Sequence, residues 1–82
     1  MNIEQLLKRI EINPDVLAGK PIIRGYRISV EQIIMALGSG LSEENILKEF
    51  PELEVDDLRA CLLYAGKMME SEKVYKVAWS AL

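Results

Sequence analysis

Between Gly19 and Ile28 the chain reads Gly19-Lys20-Pro21-Ile22-Ile23-Arg24-Gly25-Tyr26-Arg27-Ile28, which puts three cations, one aromatic ring and two glycines into ten positions. The chemistry open to such a stretch is recognition of anions. Lys20, Arg24 and Arg27 can form a basic ribbon against phosphates while Tyr26 stacks on a sugar or base. The same residues also permit a structural role, in which Arg27 reaches back to a carboxylate or carbonyl of the Asn13-Pro14-Asp15 turn and Gly25 makes the bend.

Residue types for bond-making chemistry are scarce. His is absent and Cys61 stands alone, so neither an intramolecular disulfide nor the usual Cys/His zinc site can form. Cys61 reads as a small buried apolar residue on a helix. The carboxylate pairs Glu43-Glu44 and Asp56-Asp57 are sequence neighbours, which on a helix point roughly 100° apart and do not readily share a proton or a metal. They suit the positive ends of helices instead. Gly38-Ser39-Gly40 lacks the Lys-Ser or Lys-Thr ending of a phosphate-binding loop and reads as a linker. The expectation is a protein without catalysis, metal, cofactor or small-molecule substrate.

The elements that must position these residues follow from the apolar pattern. Ile3, Leu6, Leu7 and Ile10 recur at helical spacing behind Asn2 as cap, predicting a short helix over about 3–8. Ile10 and Ile12 alternate with Glu11 before the Asn13-Pro14-Asp15 turn, and Ile22-Ile23 ends at Arg24-Gly25, so residues 10–28 form a hairpin-like β element. Ser29 then caps a helix over about 30–37, with Gln32 at the capping-box position. Ser42 caps a second, which Pro51 stops at Phe50. Its apolar residues Ile46, Leu47 and Phe50 face the core. A third begins near Val55, its buried face made by Leu58, Cys61, Leu62 and Ala65. Residues 29–66 thus have the organisation of a helix-turn-helix unit.

Residues 67–82 continue with Val74, Tyr75, Val77, Trp79 and Leu82, too apolar for a polar disordered tail. They predict a C-terminal helical extension. Tyr75, Trp79 and Leu82 are the candidate partner-binding residues, Trp79 serving as anchor. The fold class is therefore mainly α, a single domain over 1–82 with a short N-terminal β element.

Charge is unevenly spread. Residues 1–28 carry a net +2 and residues 29–82 a net −5. An anionic partner should touch the first third of the chain, whereas the remainder repels phosphates or attracts a basic protein. The third helix would be the recognition helix, yet Glu54, Asp56 and Asp57 occupy its start and only Arg59 offers a guanidinium to a base edge. The longest apolar runs are far short of the roughly 20 residues a bilayer needs. The charged amino terminus lacks the features of a signal peptide, so a cytoplasmic location is expected.

Ile12-Asn13-Pro14-Asp15-Val16-Leu17, the 19–28 segment, Val30, Gly40-Leu41-Ser42-Glu43-Glu44 and Pro51-Glu52-Leu53 together resemble the prokaryotic domain-of-unknown-function family 433. The resemblance covers about residues 10–66, with Gly19, Lys20, Pro21, Gly25, Arg27 and Ile28 on the motif positions. Tyr26 stands where the family usually has Thr, and Ala18 where a first Gly is common. The resemblance implies a helix-turn-helix-like domain that forms homodimers. It also implies an antitoxin-type role, because members are often encoded beside PIN-fold nucleases. Two functional expectations result. One is an antitoxin that neutralises a PIN-like nuclease toxin and binds operator DNA through Lys20, Arg24, Tyr26, Arg27 and Arg59. The alternative is a protein-interaction module whose helix-turn-helix is purely architectural.

Overall fold

Three side chains picked out by the sequence as helix caps perform that function in the computed structural model, which describes residues 2–70. Asn2 Oδ1 accepts from the Gln5 amide at 2.8 Å and opens α1 (Ile3–Leu7). Ser29 Oγ accepts from the Gln32 amide at 2.9 Å and opens α2 (Val30–Gly38). Ser42 Oγ accepts from the Asn45 amide at 3.1 Å and opens α3 (Glu43–Glu49), whose C-cap is Phe50. Each oxygen satisfies one of the amides that a helix start leaves without an intrahelical partner.

Between α1 and α2 lies a two-stranded antiparallel sheet. Strand β1 (Ile10–Ile12) pairs with β2 (Pro21–Ile23) in the register Ile10 to Ile23, Glu11 to Ile22 and Ile12 to Pro21. Asn13 Oδ1 takes the Asp15 amide at 2.9 Å to form the side-chain turn expected of Asn before Pro. The connection then passes through three consecutive left-handed residues, Leu17, Ala18 and Gly19, with φ of 48°, 57° and 78°. After β2, the Tyr26 amide donates to the Ile23 carbonyl at 3.0 Å. Gly25 takes φ 84° at the third turn position, where positive φ favours glycine.

The core sits where β2, α2, α3 and α4 (Val55–Glu70) converge. Ile23, Ile28, Val30, Ile33, Ile46, Leu53, Leu58 and Cys61 form one buried cluster, with Leu47 and Phe50 packed at its edge. The architecture is mainly helical, a helix-turn-helix-like α2-α3-α4 unit behind a small sheet. Among the described residues no helix is long and apolar enough to cross a membrane.

One feature differs from the sequence-based expectation. Leu62, assigned to the buried face of α4, is half exposed, and the buried residues of that helix are Asp57, Leu58, Ala60 and Cys61. The cause is α1, which packs along α4 and moves the covered arc toward Asp57 and Ala60. Helix α4 runs through Gly66 to Glu70 as one 16-residue helix. Tyr75, Trp79 and Leu82 lie outside the described residues.

Candidate functional site

Lys8 closes α1, and Arg9 follows it. The Arg9 carbonyl accepts from the Arg24 amide at 2.7 Å, so the end of the β ladder holds residues 8–9 and 24 side by side. Tyr26 stands two positions after Arg24, and its hydroxyl donates to the Glu52 carbonyl in the α3–α4 connection at 3.4 Å. These three segments enclose a concavity of about 570 Å³. Gln5, Lys8 and Arg9 line it from the α1 side, Arg24 and Tyr26 from the turn, and Glu52, Glu54 and Asp57 from the start of α4.

Three of its lining residues, Arg9, Glu54 and Asp57, belong to an ion-pair cluster. Arg9 Nη1 donates to Asp57 Oδ1 at 3.1 Å and to Glu54 Oε1 at 3.0 Å, and Asp56 lies 3.9 Å from Nη2. Hydrogen bonds to Glu54 and then Asp57 hold the guanidinium even more firmly in its charged form. Asp57 Oδ2 accepts from the Glu54 amide at 2.7 Å, so the buried Asp57 carboxylate both caps α4 and anchors Arg9. Sequence alone predicts for Asp57 only an interaction with the helix end and no site role for Lys8 or Arg9, because the partner of Arg9 is remote in sequence.

The five residues expected to meet nucleic acid are not gathered in one place. Arg24 and Tyr26 line the concavity. Lys20 instead pairs with Glu31 at 2.7 Å, and this bond, followed by the charge itself, lowers the pKa of the Glu31 carboxyl. Arg59 pairs with Asp56 on its own helix at 3.3 Å. Arg27 is exposed and makes no side-chain hydrogen bond or ion pair among the described residues. The proposed tie from Arg27 to the Asn13-Pro14-Asp15 turn is therefore absent there. Asn13 organises that turn by itself, and the turn at Gly25 leaves Arg27 on the surface. Of the motif glycines, Gly19 and Gly25 both occupy left-handed backbone, while Ile28 is buried in the core.

A family model described as "Protein of unknown function (DUF433)" matches residues 10–65, more than half of the chain. The chain belongs to the DUF433 family. A curated relative is the uncharacterized protein y4eO of Sinorhizobium fredii (strain NBRC 101917 / NGR234), 34% identical over 53 residues. That alignment covers 65% of this chain and 24% of the relative, so the chain matches about a quarter of that protein's length. A DUF433 member protein from Anabaena variabilis ATCC 29413 has a crystal structure similar to this one. Its TM-score is 0.73 at 29% identity, covering 83% of this chain and 67% of that one. The DUF433 match takes in Arg24, Tyr26, Glu52, Glu54 and Asp57 but begins after Lys8 and Arg9. One side of the concavity is thus supplied from outside the matched segment.

Proposed function

We propose that this DUF433 domain is a non-catalytic regulatory module that acts by binding a protein, as an antitoxin masks a PIN-like nuclease, with the helix-turn-helix serving as architecture. The supporting observation is the character of α4. Both of its described cations, Arg59 and Lys67, pair with carboxylates on α4 itself, Asp56 at 3.3 Å and Glu70 at 3.4 Å. Exposed ion pairs are weak, but their acids stay in place and oppose a phosphate backbone. The same helix exposes Leu62 and Met69, apolar area of the kind a protein partner covers.

The test mixes the purified chain with each PIN-fold nuclease of its source genome and measures RNA cleavage and co-elution. Inhibition at equal stoichiometry, lost in Leu62→Asp and Met69→Asp variants that keep wild-type circular dichroism, supports the reading. Full nuclease activity in the presence of excess chain overturns it.

A second reading, operator binding as a homodimer, is favoured by Arg24 and Arg27. Both are exposed beside Tyr26, and neither has a side-chain partner among the described residues. It requires affinity for the DNA upstream of the gene that falls steeply with salt and drops in Arg24→Ala and Arg27→Ala. Lys20 and Arg59 contribute less on this reading, since their charges are already met by Glu31 and Asp56.

A further inference from the structure

Five of the eight cations among the described residues are engaged with carboxylates: Arg9, Lys20, Lys48, Arg59 and Lys67. Lys8, Arg24 and Arg27 are not. Two of those three, Lys8 and Arg24, line the same concavity. Glu52 also lines it, and its side chain makes no ion pair or hydrogen bond among the described residues, while the exposed Tyr26 is tied to the Glu52 carbonyl.

An occupant must match three solvent-exposed chemistries at once. Lys8 and Arg24 call for negative charge, Glu52 calls for N–H donors, and the phenol ring of Tyr26 offers a flat apolar face. An inorganic anion satisfies the first and leaves Glu52 facing like charge. An amine or a metal cation satisfies Glu52 and is repelled by Lys8 and Arg24. A nucleoside monophosphate meets all three, with its phosphate on the two cations, its base against Tyr26 and its base N–H groups on the carboxylate. Guanine suits that carboxylate best, because its N1–H and N2–H donors lie side by side and match two carboxylate oxygens. The volume is also within the roughly 300–1,000 Å³ typical of small-molecule sites.

We propose that the concavity between α1, the Arg24–Tyr26 turn and the start of α4 binds a guanosine monophosphate unit, free or as an unpaired nucleotide of a nucleic-acid strand. The charge of Arg9 is spent on Asp57 and Glu54, which assigns the phosphate to Arg24 and Lys8. With two uncommitted cations and three acids in the lining, a single phosphate is matched and a triphosphate is not. Neither Leu62 nor Met69 lines this site, so it stands independently of the partner-binding proposal.

The experiment titrates the full chain with GMP, AMP, GTP and inorganic phosphate by calorimetry, at low salt. The expected order is GMP about tenfold or more tighter than the other three, a difference of about 1.4 kcal/mol. Arg24→Ala lowers GMP affinity about tenfold, Glu52→Gln brings GMP and AMP together, and Tyr26→Phe binds as wild type while Tyr26→Ala does not. Circular dichroism confirms that each variant is folded. Absence of GMP binding at millimolar concentration, phosphate binding as tightly as GMP, or Arg24→Ala leaving GMP affinity unchanged would each overturn the proposal. A short single-stranded oligoguanylate binding more tightly than GMP assigns the natural ligand to nucleic acid, and equal affinity assigns it to the free nucleotide.

Discussion

Arg9 and Asp57, 48 positions apart in the chain, meet at 3.1 Å, while the second oxygen of the same carboxylate takes the Glu54 amide at 2.7 Å. One buried side chain therefore closes the first turn of α4 and fastens the end of α1 to it. The arrangement also fixes one boundary of the concavity, because the Arg9 carbonyl is the acceptor for the Arg24 amide.

Removing that carboxylate should be costly. Asp57→Ala loses a helix cap and a charge-assisted hydrogen bond, and a loss of about 2–4 kcal/mol in urea unfolding is expected. Arg9→Ala should cost about 1.5–3 kcal/mol and leave Asp57 buried without its partner. The double variant should lose less than the sum of the two, with a coupling of about 0.5–3 kcal/mol. Strictly additive losses would mean that the contact contributes nothing to stability.

Core and outer positions of the helices should separate cleanly. Ile33 and Leu58 are fully buried, so truncation to Ala should cost about 2–5 kcal/mol. Leu62→Ala should stay within about 0.5 kcal/mol of wild type, despite the same apolar chemistry on the same helix as Leu58. Equal losses at Leu58 and Leu62 would place the buried face of α4 where periodicity alone puts it.

The left-handed run before β2 gives predictions of opposite sign. Ala18 has φ 57°, a conformation that costs a non-glycine residue roughly 1–2 kcal/mol, so Ala18→Gly should raise stability by up to about 1 kcal/mol. Gly19, at φ 78° with the Pro14 Cα 3.8 Å from where a Cβ would stand, should lose about 1–2 kcal/mol as Ala. Thermal midpoints of the two variants check both signs.

Cys61 governs the alkaline limb. Burial, with a smaller contribution from the negative charge of Asp57, pushes its thiol up to about 12. Below the ordinary thiol range both folded and unfolded chains hold the proton, and stability is independent of this group. As pH rises past that range the unfolded thiol ionises first, so stability falls up to about pH 12. Denaturation measured from pH 8 to 11 should show this decline, and Cys61→Ala should flatten it. A thiol that reacts with iodoacetamide in the folded protein at the rate of a free cysteine would contradict its burial.

Local order was legible in the sequence wherever short-range chemistry decides it. The caps Asn2, Ser29 and Ser42, the Asn13 turn, the stop at Pro51 and the bend at Gly25 depend on a few neighbouring residues, and each is where the residue types place it. The match to the DUF433 pattern over residues 10–65 likewise follows from the chain alone. Tertiary structure decided which cations remain uncommitted and which side of α4 is covered. Lys20 and Arg59 look equivalent to Arg24 in the sequence, but Glu31 and Asp56 neutralise them, whereas Arg24 meets Lys8 at a concavity. Helical period gives the width of an apolar stripe but not which helices will lie on it, so Leu62 could be assigned only once α1 had been placed against α4. The bond between Arg9 and Asp57 is the clearest case, since charge attraction carries no record in sequence spacing and depends only on the distance the fold creates.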